Sequence, residues 1–243
     1  MDLVGPKYLS GGFRFYFFNI IDVETHTAGV YPCRDKTATS ITEPVVDFWN
    51  KFGIPDFLQM DNELSFRGSN RYPRGLGLLL RFALSLGVCP IFIPPAEPWR
   101  NGVIEKFNDN MLKHFYTVER FNSFEELAQK SIDFSGFHNQ HHRYSSQSGK
   151  TPDQVLKLQG SIPKLQTRPD LTKRMPLMEG KLIFIRFIRS NQILSVLNSR
   201  FEVKKELVYT YVVAQIIVEK HILMVIQDNI VHHIFPFVMP VDW

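Results

Sequence analysis

The chain has 243 residues, 44% hydrophobic and 21% charged, which is the composition of a folded globular protein and excludes a disordered one. A formal net charge of +4 permits a polyanionic partner without requiring one. Two cysteines, Cys33 and Cys89, stand far apart in no CxxC pattern, which argues against a disulfide framework or a Cys-based zinc site and fits a reducing, cytoplasmic setting.

The basic excess is local. Residues 159–178 carry 4 basic and 1 acidic side chains, whereas residues 1–158 carry 17 of each and residues 179–243 carry 7 and 6. The apolar run FRFYFFNIIDV is broken by Arg14 and too short to cross a bilayer. No basic leader and cleavage site precede it, so neither a signal peptide nor a membrane partner is expected.

In chain order, FRFYFFNIIDV is rich in aromatic and β-branched residues and predicts a buried strand, with AGVYPC as its hairpin partner. SITEPVVDFWNKFG places Ile41, Val45, Val46, Phe48, Trp49 and Phe52 at helical spacing and stops at Gly53 and Pro55. Pro44 is expected in its first turn. DFLQMDNE predicts a short strand with Asp61 at its C-terminal end, and GLGLLLRFALSLG an apolar helix closed by Gly87. VCPIFIPP is a strand stopped by prolines. A helix then runs to about Tyr116. NSFEELAQKSIDFSGFHNQHH is another helix, capped by Asn122 or Ser123.

The proline-, glycine- and charge-rich segment 159–178 predicts a linker between a first domain, 1–158, and a third segment, 179–243. In that third segment KLIFIRFI, QILSVL, RFEVKKEL, YTYVVAQIIV and HILMVIQ are short strands at spacings that suggest a small antiparallel barrel or sandwich with scope for DNA binding. Lys204-Lys205 and the pair Arg186 and Arg189 are equally candidate phosphate contacts and ordinary surface. His138, His141 and His142 lack cysteine partners, so helix-end or DNA-backbone contacts outweigh zinc for them. GxGxxG, GKT and GxSxG are absent, which leaves nucleotide-cradling loops and a serine hydrolase unsupported.

Asp2, Asp61 and Glu105 come from separate predicted elements, with 43 residues between the last two. Carboxylates of this kind suit hard divalent cations such as Mg²⁺ or Mn²⁺. An acid near a strand end or in a first helical turn is equally explained by solvation and the helix dipole. The surrounding motifs choose between the two. QMDNE and PPAEPWRNGVIEKFNDNM resemble the second and third acidic blocks of the DDE superfamily of transposases and retroviral integrases, most closely the integrase-like transposases of bacterial insertion sequences. DLVGPKYL, NIIDVETHTAGVYPC and HNQHHRYSSQSGKTPDQVL follow in that family's order. The resemblance covers residues 1–158 closely and the C-terminal segment loosely.

The resemblance implies an α/β fold: a ribonuclease H-like mixed sheet flanked by helices, followed by a small all-β barrel domain. It implies Asp2, Asp61 and Glu105 as the catalytic, metal-binding triad for a two-metal Mg²⁺ or Mn²⁺ site. Asn62 and Glu63 would orient Asp61, and Trp99, Arg100, Asn101, Lys106, Asn108 and Lys113 would meet DNA. Asp22 is a fallback ligand. The implied activity is DNA cleavage and strand transfer, with element ends and target DNA as partners and a homo-oligomer as the working form. The chain starts one residue before Asp2, and the family's N-terminal helix-turn-helix has no counterpart in it. Two further expectations follow: a separate helix-turn-helix subunit, or a catalytically inactive DNA-binding or assembly module.

Overall fold

The computed structural model describes residues 1–68, 71, 73–160, 162–173 and 175–240. Ser161 and Arg174 of the expected linker, and Val241 to Trp243 of the expected barrel, lie outside the described residues. The chain forms two compact units, each from two stretches: Met1–Ile54 with Gly102–Pro169, and Pro55–Asn101 with Asp170–Trp243. The units therefore interleave along the chain, whereas the sequence suggested three consecutive segments, 1–158, 159–178 and 179–243.

The first unit holds an antiparallel sheet of β1 (Asp2–Tyr8), β2 (Arg14–Ile21) and β3 (Ala28–Cys33), in that order. Pro6 lies in β1, an edge strand of this sheet, where the register with β2 shifts between Val4 and Lys7. A missing N–H is tolerated at such a bulge. Side chains alternate along β2, so Phe15, Phe17, Asn19 and Ile21 share one face. Phe15, Phe17 and Ile21 pack there with Ile104, Phe107 and Met111 of helix α4 (Gly102–Met111) and with Leu127 of α5 (Phe124–His141). A π-helical turn, Leu112–Tyr116, extends α4. Ser123 caps α5, its hydroxyl accepting from Glu126 N–H, while Glu126 accepts from Asn122.

Helix α1 runs from Ala38 to Phe52 with Thr37 as its N-cap, so Pro44 sits in its interior rather than its first turn. Proline removes the N–H that would bond the Ser40 carbonyl. The Cys33 thiol takes that place, its Sγ 3.4 Å from Ser40 O. Burial, followed by Asp35 and Glu43, pushes the Cys33 thiol up to about 12, so it keeps its proton and can donate.

The second unit contains a mixed six-stranded sheet. Its strands are β4 (Phe57–Met60), β5 (Cys89–Phe92), β6 (Lys181–Phe187), β9 (Tyr211–Ile217), β10 (Ile222–Gln227) and β11 (Ile230–Pro236), in the spatial order β11-β10-β9-β6-β5-β4. β4, β5 and β6 are parallel, and β6, β9, β10 and β11 alternate. A short hairpin, β7 (Ile193–Val196) and β8 (Ser199–Glu202), stands as its own sheet. The separate barrel expected for 179–243 is thus replaced, among the described residues, by an open sheet: β6 pairs with β5, and the strands extend that sheet instead of closing on themselves. Phe92 and Phe184, in register on β5 and β6, stack with ring centroids 4.6 Å apart.

Strand β11 was not foreseen. Asp228 and Asn229 both adopt positive φ, 48° and 63°, and build the tight turn that brings it back along β10. Between β4 and β5 lie α2 (Leu64–Arg67) and α3 (Leu78–Ser85). Gly68, at φ 103°, lies so close to Gly77 that a Cβ on it would come within 2.6 Å of the Gly77 nitrogen. Only glycine permits that approach. The remaining helix, α6 (Pro152–Leu158) in the first unit, begins with a reciprocal cap between Thr151 and Gln154. Among the described residues no helix is long and apolar enough to cross a membrane.

Candidate acidic site

Asp2 and Glu105 belong to the first unit and Asp61 to the second. In the first, antiparallel register sets Asp2 opposite Asn19. Helix α4 buries Ile104, Phe107, Asn108 and Met111, the i, i+3, i+4, i+7 stripe that faces the sheet. Asn108 therefore occupies an inward position. Its Nδ2 donates to Asp2 Oδ2 at 2.7 Å, and its Oδ1 accepts from Asn19 Nδ2 at 2.8 Å. Leu3 N–H donates to the other Asp2 oxygen at 2.8 Å. The anionic carboxylate fixes which end of Asn108 faces it, since only the amide nitrogen can donate.

Asn108 was expected to read DNA. It is only 6% exposed and held at both ends, so it positions Asp2 instead. Glu105 lies three residues earlier, in the first turn of α4, and is half-buried. Residues three apart on a helix are neighbours, so Asn108 sits beside Glu105 on one face while reaching Asp2. Lys106 and Lys113 are exposed. Asn19, fully buried in β2, was overlooked in the sequence. Its Oδ1 finds no hydrogen-bond partner among the described residues.

In the second unit, Asp61 follows β4 directly and accepts from Glu63 N–H at 2.9 Å. Glu63 precedes α2 as its N-cap residue. Asn62 is clamped: its Nδ2 donates to Ile93 O at 2.7 Å, and its Oδ1 accepts from Arg186 at 2.7 Å. Arg186 also donates to the carbonyls of Ile93, Ile185 and Ser195. This arginine was considered for phosphate contact but is buried, and burial, then Arg67, lowers its pKa to about 10. It remains charged at neutral pH and braces the turn after Asp61.

Trp99 is 66% exposed. Arg100 donates to Glu97 at 2.6 Å and lies over the Tyr211 ring, 4.3 Å from its centroid. Asn101 is buried and accepts from Gln59 at 3.1 Å, which ties the loop to β4. Asp22, the fallback, accepts from Thr25 N–H and Oγ1 within the β2–β3 turn.

Asp2 and Glu105 in the first unit, and Asp61 in the second, each offer carboxylate oxygens, the donor type that a hard divalent cation takes. Among the described residues no group of three or more His, Cys, Asp or Glu stands arranged to hold a metal ion. That includes the histidines. His138 is 3% exposed, and burial, then His142, pushes its pKa down to about 4. Its Nε2 lies 3.4 Å from the His26 carbonyl and 3.3 Å from the Tyr144 hydroxyl, and its ring stacks on His142.

Comparison with known proteins bears on this arrangement. Residues 86–152 match the family model of the integrase core domain, a stretch that includes Glu105, Asn108 and all of α4. No curated protein matches the chain. A structure of the HTLV-2 integrase catalytic core domain in complex with magnesium, in a dimeric form, is 17% identical with a TM-score of 0.47, covering 64% of this chain and 92% of that one. Its trimeric form gives 16%, 0.46, 63% and 91%. A chain of the simian T-cell lymphotropic virus intasome in complex with PP2A regulatory subunit B56 gamma is 13% identical with a TM-score of 0.50, covering 98% of this chain and 75% of that one. The fold assignment rests on this last match, which spans both units. Residues 86–152 are thus similar to an integrase core domain, and the fold of the chain is similar to that of the intasome chain.

Proposed function

We propose that the chain is a DDE-type DNA strand-transfer enzyme in which Asp2, Asp61 and Glu105 are the catalytic carboxylates. The observation that carries this reading is the Asn108 bridge, which fastens Asp2 to the helix that bears Glu105 inside the segment matched by the integrase core. A buried amide spent on orienting one carboxylate is a costly arrangement for a merely solvated acid.

Bound Mg²⁺ or Mn²⁺ ions, held by these three carboxylates, would neutralise charge on a phosphodiester and favour deprotonation of the attacking hydroxyl. The chain's own residues do the remaining work. Asn108 and Leu3 N–H hold the Asp2 carboxylate in one orientation. Glu63 N–H does the same for Asp61, and Asn62, fixed by Arg186 and Ile93, keeps the backbone after Asp61 in place. Lys106 and Lys113 offer exposed ammonium groups to phosphates, and Trp99 offers a ring face to a base. Water, then a DNA 3′-hydroxyl, is the nucleophile for in-line displacement. The working form is a homo-oligomer that pairs element ends with target DNA.

A strand-joining assay on branched DNA with Mn²⁺ tests the reading, because a branched substrate demands least of end recognition. Joined product is expected from the wild-type chain. Asp61→Asn and Glu105→Gln should abolish it with circular dichroism unchanged. Product from either variant sinks the assignment. DNA binding without joining by the wild type would mark an inactive binding module.

A further inference from the structure

The second unit contains a cleft of about 370 Å³ that the acidic site does not use. Arg186, Arg189 and Arg200 line it, with Asn191, Phe187 and Glu97. Arg186 is buried at the base and committed to carbonyls and Asn62. Arg189 and Arg200 are exposed, and neither guanidinium has an ion-pair partner among the described residues. The one carboxylate in the wall, Glu97, is already engaged: it accepts from Arg100 at 2.6 Å and from the Tyr211 hydroxyl at 2.8 Å. The cleft therefore presents uncompensated positive charge.

The wall also carries an aromatic face. Phe187 and Tyr211 are partly exposed, with ring centroids 5.0 Å apart, and Arg100 covers Tyr211. Phe187 is the ring that lines the cleft. Free guanidinium groups recognise phosphate in a forked, directional way, and an exposed ring beside them stacks on a base. A volume of this size is that of a small-ligand pocket and suits one nucleotide better than the side of a duplex.

We propose that this cleft binds a single phosphate-bearing nucleotide unit, with Arg189 and Arg200 on the phosphate and Phe187 on the base. The unit is either an unpaired residue of a nucleic-acid strand or a free nucleotide. Only the choice of probe rests on the strand-transfer reading above.

The test uses the full chain and a fluorescein-labelled single-stranded thymidylate of about six nucleotides, within the usual site size for unpaired strands. Anisotropy is read against salt, with thymidine monophosphate, inorganic phosphate and a duplex as competitors. The labelled strand is expected to bind. Arg189→Glu with Arg200→Glu should weaken it at least about tenfold and shrink the salt slope by about 0.7, the loss of one neutralised single-strand phosphate. Phe187→Ala should weaken it about tenfold through lost stacking. Thymidine monophosphate competing as well as the strand, per nucleotide, identifies a free nucleotide as the occupant; much weaker competition identifies a strand.

Unchanged affinity in the charge-reversed variant, with unchanged circular dichroism, overturns the proposal. So does a wild-type chain that binds neither probe, inorganic phosphate competing as well as the monophosphate, or a duplex competing as well as the single strand. Joining is assayed in parallel. Metal-dependent joining without cleft binding removes the cleft and leaves the strand-transfer reading, and cleft binding without joining does the reverse.

Discussion

At the scale of single residues, the Asp2–Asn108–Asn19 chain makes the sharpest demand. Asn108→Leu keeps the volume but removes the donor to Asp2 and the acceptor for Asn19. The freed Asn19 amide is then buried without a partner, at a cost of about 1–3 kcal/mol. Joining should fall about 10–100-fold, the usual effect of losing a group that orients a ligating side chain. Adding Asn19→Leu removes the stranded amide, so the double variant should regain stability in urea unfolding over the single one while its joining stays low. A double variant that regains joining would show that Asn108 supports the core and not the carboxylate.

At the scale of elements, the C-terminal end of α5 is fastened to the β2–β3 turn by neutral histidines. His26, adopting a left-handed φ of 59°, stacks on Tyr144 with centroids 4.0 Å apart, and Gln147 donates to the Glu24 carbonyl. Burial lowers His26 against the pull of Asp22, and burial, then Lys106, lowers His142. His138, depressed to about 4, is the most affected. A histidine whose folded pKa lies below its unfolded value of 6.5 binds protons more readily when unfolded. Its contribution is complete above about pH 6.5, and stability falls as pH drops from there towards about 4. The midpoint of urea unfolding should therefore decline over that interval, and His138→Gln should flatten the decline. A variant with the wild-type slope would place the acid sensitivity elsewhere.

At the scale of the whole molecule, the interleaved units carry a consequence for truncation. A chain ending at Leu158 loses β6, β9, β10 and β11, and with them the β6 side of the pairing of β5 and the stacking of Phe92 on Phe184. It also loses Arg186, which clamps the turn after Asp61. Such a truncation should leave 55–101 protease-sensitive while residues 1–54 and 102–158 retain protection. A truncated chain with full protection and joining activity would restore the consecutive division suggested by composition. The open edge presented by β11, with Ile230, Val231 and Ile234 exposed, belongs to the same six-stranded sheet and would be removed with it.

Local patterns were legible wherever one physical signal dominated. Alternation and aromatic content marked β2, glycine and proline bounded α1 and α3, and Ser123 announced α5. The integrase-like resemblance came from the residues around Asp61 and Glu105. Even the role of Asn108 had a trace, because it completes the buried stripe of Ile104, Phe107 and Met111, a place where an amide needs partners. Which partners it finds was not in the sequence, since Asp2 and Asn19 are 106 and 89 residues away and meet it through β-sheet register. Likewise KLIFIRFI announces a strand but not its neighbour. Backbone hydrogen bonding has no side-chain code, so only tertiary structure could decide that β6 would lengthen the sheet of β4 and β5, bury Arg186 behind Asp61 and leave Arg189 and Arg200 lining a cleft.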